Sequence, residues 1–260
     1  MSLDARRIGQ LENRDTLEAK LGSLREGDIV KARVRRFTPG QEPRYETFEV
    51  PYQKWMRVLD VLIYISEELE SDLSYRWYCG SKMCGTCAMR VNGREILACW
   101  AAAEPEMTIE PLRNLPVIRD LVTDMRGFFD KWARAKGSFA GTKTKRDDFA
   151  RVAPDSADRR KVDAGIECIG CGVCYSACDV VAWNPDYLGP AALNRAWTLV
   201  KDERDVVKHE RLRAVAGDAG CHACHTLMSC TERCPMRLSP TAAISGLKRA
   251  VLGSVLKGEL

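Results

Sequence analysis

The sequence predicts an α+β protein in two parts, β-rich towards the N-terminus and α-helical towards the C-terminus. Three observations carry this. Apolar residues alternate with a period of two in segments up to about residue 114, and recur at helical spacing from residue 116. Twelve cysteines gather in three groups, at 79–99, 168–178 and 221–234, the first standing well apart from the others. The expected division is an N-terminal extension at 1–27 that could form a helix, a sheet domain at 28–115, and a helical domain at 116–260 with a connecting loop at 137–160.

The elements follow in order. "DIVKARVRRF" sets Val30, Ala32 and Val34 against Lys31, Arg33 and Arg35, the pattern of a half-buried strand. "PGQEP" turns the chain into a second strand, "RYETFEV". "KWMRVLDVLIYISEEL" then places Trp55, Val58, Leu59, Leu62, Ile65 and Leu69 on one helical face. "CAMRVNGREILAC" reads as a hairpin, with Asn92-Gly93 supplying the positive φ angles of a type I′ turn. "MTIEPL" closes as a further strand. Two strands, a helix and more strands make a small β-grasp sheet packed on one helix.

Beyond it, "PVIRDLVTDMRGFFDKW" carries Ile118, Leu121, Val122, Met125, Phe129 and Trp132 at helix spacing, with Pro116 at its start. "AKGSFAGTKTKRDDFARVAPDSADRR" has few large apolar residues and many charges, and reads as a loop. Helical segments follow in "PAALNRAWTLVKD", "ERDVVKHERLRAVAG" and "SPTAAISGLKRAVLGSVL". The last opens with Ser239 as N-cap and Pro240 at the first helical position.

Net charge is +4, too weak to argue for nucleic acid as a partner. No apolar run approaches the roughly 18 residues of a membrane span, so the chain is not expected to cross a bilayer, though it can dock on something that does. The N-terminus has no apolar core of a secretory signal. That points to a reducing compartment, where structural disulfides are rare, and so to metal as the use of the cysteines.

Cys79-x4-Cys84-x2-Cys87 with Cys99 is the plant-type [2Fe–2S] spacing. Gly80 and Gly85 let the backbone approach, and the Asn92-Gly93 turn folds Cys99 back towards Cys87. Cys168-x2-Cys171-x2-Cys174-x3-Cys178 is the bacterial ferredoxin run, with Asp179 in place of the usual proline. The same ruler laid from Cys224 falls on Cys224, Leu227, Cys230, Cys234 and Pro235. In two-cluster ferredoxins the fourth cysteine of each run ligates the other cluster. That assigns Cys168, Cys171, Cys174 and Cys234 to a [4Fe–4S] cluster, and Cys178, Cys224 and Cys230 to a three-ligand [3Fe–4S] cluster. Leu227 stands where the labile iron would sit. Cys221 lies off the ruler and reads as a spare buried thiol.

Other readings compete. Cys221, Cys224 and His225 fit the C-x-x-C-H pattern of covalent haem attachment, which goes with export, and the same side chains could hold zinc in an interaction module. No dinucleotide fingerprint, P-loop, nucleophile elbow or HExxH is present. Three redox centres without a substrate site describe an electron wire.

The stretches "CGSKMCGTCAMRVNGREILAC", "CIGCGVCYSACDVVAWNPDYLGPAAL" and "CHTLMSCTERCPMRLSP" resemble the iron–sulfur subunit of succinate dehydrogenase and fumarate reductase, from about residue 29 to the C-terminus. The resemblance implies a respiratory, membrane-associated complex of the tricarboxylic acid cycle. In it a flavoprotein subunit carries FAD and interconverts succinate and fumarate. Electrons pass through the [2Fe–2S], [4Fe–4S] and [3Fe–4S] clusters to a quinone, at a pocket completed by a membrane anchor subunit. It further implies quinone-binding roles for Trp183 and His225, a histidine there being suited to proton relay. The implied place is peripheral, on the cytoplasmic face of a bacterial inner membrane. The main rival keeps the metals but changes the partner, to a flavoprotein like that of glycolate oxidase or heterodisulfide reductase.

Overall fold

The computed structural model describes residues 24–144, 146–149, 152–162 and 164–260; residues 1–23 of the N-terminal extension lie outside them. The strands are β1 (Ile29–Arg36), β2 (Arg44–Pro51), β3 (Ala88–Val91), β4 (Arg94–Leu97), β5 (Glu106–Glu110), β6 (Val117–Arg119) and β7 (Val122–Thr123). The α-helices are α1 (Val58–Tyr64), α2 (Arg126–Arg134), α3 (Ala157–Val162), α4 (Val173–Ser176), α5 (Asp179–Trp183), α6 (Pro190–Val200), α7 (Lys208–Val215), α8 (Ser229–Glu232) and α9 (Pro240–Leu256). The chain forms two compact units. The first runs to Asp124 and takes in Cys171–Ala177; the second comprises Met125–Gly170 and Cys178–Leu260.

The first unit holds a five-stranded sheet in the order β2-β1-β5-β3-β4. β1 pairs antiparallel with β2, Val30 opposite Val50, and parallel with β5, Ala32 opposite Met107. The alternation of β1 buries Val30, Ala32 and Val34, joined by Val50, Met107 and Ile109. The expected hairpin is present: Asn92 (φ +48°) and Gly93 (φ +77°) turn β3 into β4. The Asn92 side chain also accepts from Thr108 N at 2.7 Å and donates to Glu106 O at 3.0 Å, fastening the turn to β5.

The helix between β2 and β3 is shorter than its apolar spacing predicts. Val58, Leu59, Leu62 and Ile65 are buried as expected, and so is Val61. Trp55, ahead of α1, is 61% exposed, and Leu69 is 47% exposed. After Tyr64 the chain widens into a π-helical turn, Ile65–Leu69, and the wider turn rotates Leu69 off the buried face.

A second expectation fails over 116–125. Its helical spacing gives way to the β6–β7 hairpin, with Asp120 (φ +43°) at the turn, and helix begins only at Arg126. The cause is tertiary. The buried Asp120 carboxylate accepts from Arg36 Nε at 3.2 Å, Phe37 N at 2.9 Å and Ser74 N at 2.9 Å. Arg36 also pairs with Glu46 at 2.7 Å and with Asp72. Two distant segments, at 36–37 and at 74, thus converge on one carboxylate, and a helix through 120 would break every one of those bonds.

In the second unit, α9 starts as its sequence predicts: Pro240 is the first helical residue and Ser239 Oγ accepts from Ala242 N at 3.3 Å. α6 and α9 pack together, burying Leu193, Ala196 and Leu199 with Ile244, Leu247 and Val251. Gly246 makes this close approach possible, since a Cβ there would lie 2.6 Å from the Trp197 ring. Within the expected 137–160 loop, α3 begins at Ala157. Asp205 ties the loop's start to α7, accepting from Arg211 at 2.6 and 3.0 Å and from Ala140 N at 3.1 Å.

The Asp120 network gives a stability prediction. Asp120→Ala should cost about 3 kcal/mol, the low end for breaking a buried ion pair, because Arg36 keeps its other carboxylates. Denaturant unfolding of the two proteins measures this, and an unchanged midpoint would deny the network its structural role.

Candidate metal centres

The loop from Cys79 to Cys87 is shaped by left-handed residues, Gly80 (φ +66°), Lys82 (φ +63°) and Gly85 (φ +72°). Each reversal turns backbone amides inward. Cys79 Sγ accepts from Ser81 N at 3.4 Å, Met83 N at 3.3 Å and Cys84 N at 3.3 Å. Lys82 N donates to Cys99 Sγ at 3.4 Å, and Thr86 Oγ1 to Cys84 Sγ at 3.0 Å. Amides aimed at one sulfur favour its thiolate, and they pull the Cys79 thiol down to about 6. Burial dominates at Cys87 and pushes its thiol up to about 12. Among the described residues no three His, Cys, Asp or Glu side chains are set to grip a single ion. The four thiols lie together: Cys79 is within reach of Cys84, and Cys87 of both Cys99 and Cys84. Four thiolates in one place are what a cluster of two irons requires.

Cys171 and Cys174 belong to the first unit, Cys168 and Cys234 to the second. The segment carrying the first two is pinned by polar bonds. Arg113 N donates to Ser176 Oγ at 2.8 Å, Ser176 Oγ donates to the buried Glu95 at 3.1 Å, and Asn114 Nδ2 donates to Ser176 O at 3.1 Å. Cys171 lies so close to Gly85 that a Cβ on the glycine would stand 2.7 Å from Cys171 Cβ. In the second unit Cys168 and Cys234 are close enough to feel each other's charge. Burial raises both thiols, opposed by the Gly170 amide at Cys168 and by the Leu238 and Met236 amides at Cys234.

Cys178, Cys224 and Cys230 come together in the second unit. They line a small pocket, partly open to solvent, with Tyr187, His225, Leu227, Met228 and Thr241. Cys178 precedes α5, and burial pushes its thiol up while the Val181 and Val180 amides pull it back. Thr226 N donates to Cys224 Sγ at 3.4 Å. Burial also raises Cys230, countered chiefly by the Thr241 hydroxyl. Leu227, 49% exposed, sits on the lip between two left-handed residues, Thr226 (φ +60°) and Met228 (φ +65°). Trp183 and His225 meet edge to face, ring centroids 6.2 Å apart. Cys221 is fully buried outside the lining, its thiol pushed up to about 11 by burial.

Sequence reasoning missed several residues here. Tyr187 is buried against the three thiols, bonds Cys224 and has its hydroxyl pKa raised, chiefly by burial. Lys248 Nζ donates to Cys224 O at 2.7 Å. Thr231 and Thr241 flank Cys230. Proximity in sequence to the cysteines was a signal for Tyr187 and Thr231. Thr241 reaches the pocket, and Lys248 the Cys224 carbonyl, only because α9 packs beside them.

All-sulfur donor sets, with backbone amides and hydroxyls aimed at the sulfurs, fit iron–sulfur clusters. The chain is in this sense an iron–sulfur protein with a β-grasp part and a helical part. Comparison with known proteins agrees. Residues 31–130 match a family model described as a 2Fe-2S iron-sulfur cluster binding domain, and 167–239 one described as a 4Fe-4S dicluster domain. The fumarate reductase iron-sulfur subunit of Haemophilus influenzae is 35% identical over 232 residues, covering 84% of this chain and 91% of that one. The succinate dehydrogenase iron-sulfur subunit of Paracoccus denitrificans is 34% identical over 236 residues, covering 88% and 90%. Among solved structures, a chain of the Mycobacterium smegmatis Sdh1 complex in the apo form superposes with a TM-score of 0.77 at 26% identity, covering 87% of this chain and 97% of that one. The protein belongs to the family of iron–sulfur subunits of succinate dehydrogenase and fumarate reductase. Neither the zinc-module reading nor the glycolate-oxidase-like and heterodisulfide-reductase-like readings is favoured beside these relatives.

The glycines of the first loop give a paired prediction. Gly85→Ala should strip iron and acid-labile sulfide from the chain, because its Cβ would meet Cys171 and its φ is positive. Gly80→Ala carries the φ penalty with open space around it and should cost only about 1 kcal/mol. Equal cluster content in the two variants would contradict the close approach.

Proposed function

We propose that this chain is the electron-transfer subunit of a membrane-associated succinate:quinone oxidoreductase. Its ligand sets are Cys79, Cys84, Cys87 and Cys99 for [2Fe–2S], Cys168, Cys171, Cys174 and Cys234 for [4Fe–4S], and Cys178, Cys224 and Cys230 for [3Fe–4S]. The single observation carrying this is the cavity of the second unit, where three thiols face one space and the fourth place of the ferredoxin spacing is Leu227. A domain with [2Fe–2S] ligands at about 28–115, followed by a helical domain to 260, accounts for the order of the motifs.

The clusters, when bound, supply one-electron steps at graded potentials. This chain's residues do the rest. Inward-turned amides stabilise the thiolates around each centre, and buried aliphatic side chains keep water from them. His225 lines the three-thiol pocket, and Trp183, 61% exposed, packs edge to face against it, so that an aromatic face and an imidazole can hold a quinone ring and pass it protons. The partners are a flavoprotein subunit bearing FAD and a membrane anchor subunit, with the chain peripheral on the cytoplasmic face of a bacterial inner membrane. Among the described residues no helix is long and apolar enough to cross a membrane.

Purification of the intact complex, with iron and sulfide analysis and redox titration of its paramagnetic centres, tests the reading. About nine irons per chain are expected from clusters of two, four and three. Zinc without sulfide would end it. Leu227→Cys should replace the signal of the oxidised three-iron centre with that of a cubane of lower potential; an unaltered spectrum would mean that the ligand register is misplaced. Cys221→Ala should leave all three centres intact, and loss of the three-iron signal would make Cys221 a ligand.

A further inference from the structure

Cys230 Sγ lies 3.4 Å from Thr241 Oγ1. That hydroxyl belongs to a short chain of donors. Thr231 Oγ1 donates to Thr241 Oγ1 at 2.9 Å, and Thr241 N donates to Thr231 Oγ1 at 3.4 Å. Cys230, Thr231 and Thr241 are each 7% exposed, so solvent is largely held off all three. Two helix ends make the arrangement. Cys230 and Thr231 are neighbours in α8, and Thr241 follows Pro240 in the first turn of α9, where amides have no partner within the helix.

Counting hydrogens sets the direction of the chain. A threonine hydroxyl has one hydrogen to give. Thr231 gives its hydrogen to Thr241, so the Thr241 oxygen is already an acceptor and its own hydrogen is free to turn to Cys230. A cysteine bound to iron is a thiolate and can only accept. Donation therefore runs from Thr241 N to Thr231, from Thr231 to Thr241, and from Thr241 to the Cys230 sulfur.

We propose that Thr231 and Thr241 form a positioning pair that sets the reduction potential of the three-iron centre through a hydrogen bond from Thr241 to the Cys230 thiolate. The proposal rests on the three-iron reading of the cavity. In the reduction one electron arrives from the preceding centre, and no bond to iron forms or breaks. The added negative charge spreads onto the coordinating sulfurs. A donor aimed at one of them stabilises the reduced state more than the oxidised state and raises the potential.

The test is a redox titration of the three-iron signal in the intact complex, comparing the unmodified protein with Thr241→Val, Thr241→Ser and Thr231→Val. Valine keeps the branched shape and removes the hydroxyl; serine keeps the hydroxyl. Thr241→Val should shift the one-electron equilibrium three- to tenfold towards the oxidised state, about 30–60 mV lower in potential. Thr241→Ser should stay at the unmodified value, and Thr231→Val should move the same way by less. An exchangeable proton coupled to the centre should vanish from the electron–nuclear double resonance spectrum of Thr241→Val. An unshifted potential in Thr241→Val with full signal, or serine shifting as far as valine, overturns the proposal. Should Thr241→Val fail to carry the centre, Thr231→Val decides, and an unshifted potential there overturns it too. Absence of a three-iron signal from the unmodified complex would instead sink the reading of the cavity.

Discussion

Anionic sulfur held inside a protein is the constraint on which this structure turns. A thiolate removed from water loses several kcal/mol of solvation unless donors replace the water. Helices and strands spend their amides on themselves, so most of the cysteines sit where regular structure stops, with Cys174 and Cys230 in one-turn helices. The left-handed residues mark these places. Gly80, Lys82 and Gly85 surround the first group, Gly170 and Gly172 the second, and Thr226, Met228 and Arg237 the third. Thr226 is a β-branched residue in a region that such side chains rarely adopt. Its amide reaches Cys224 Sγ because of that conformation. Local backbone strain and sulfur solvation are two sides of one arrangement.

Much of this was legible in the sequence. Cysteine spacing predicts where sulfurs must gather, because loop closure around a cluster admits few residue counts. The Asn92-Gly93 turn and the Ser239-Pro240 helix start were equally plain, since each depends on backbone chemistry within a few residues. What failed to show depends on bonds distant in sequence. Asp120 accepts from Arg36 and Ser74, 84 and 46 residues away, and those bonds overrode a helical pattern across 116–125. The π-helical turn after Tyr64 shifted the face of α1 for a reason no apolar period encodes. At the candidate site the thiols were readable and their hydroxyl partners were not. Thr241 is eleven residues from Cys230, and only the packing of α9 brings them together.

The second cysteine run also shows that sequence neighbours need not share a structural unit. Cys171 to Ala177 belong with the sheet, whereas the residues on either side belong with the helices. Ser176 makes this possible: its hydroxyl accepts from the Arg113 amide and donates to Glu95, and its carbonyl accepts from Asn114. Glu95 is itself a buried carboxylate, which must be satisfied by such donors wherever it lies. A motif read as one compact ferredoxin run is thus anchored residue by residue, by side chains that the motif does not contain.

The start of α9 draws these threads together. A helix leaves its first amides without internal partners, and here they are shared between stability and redox environment. Pro240 removes one amide from the problem. Ser239 Oγ takes the amide of Ala242. The amide of Thr241 goes to Thr231, whose hydroxyl turns back to Thr241 beside the Cys230 sulfur. The cap of α9 thus ends beside the Cys230 sulfur. Because the same turn that begins the longest helix of the second unit also faces the cavity, α9 cannot shift along its axis without moving the donor from the sulfur. Helix position and cluster environment are coupled by geometry, and the chain needs no separate element to hold the two in register.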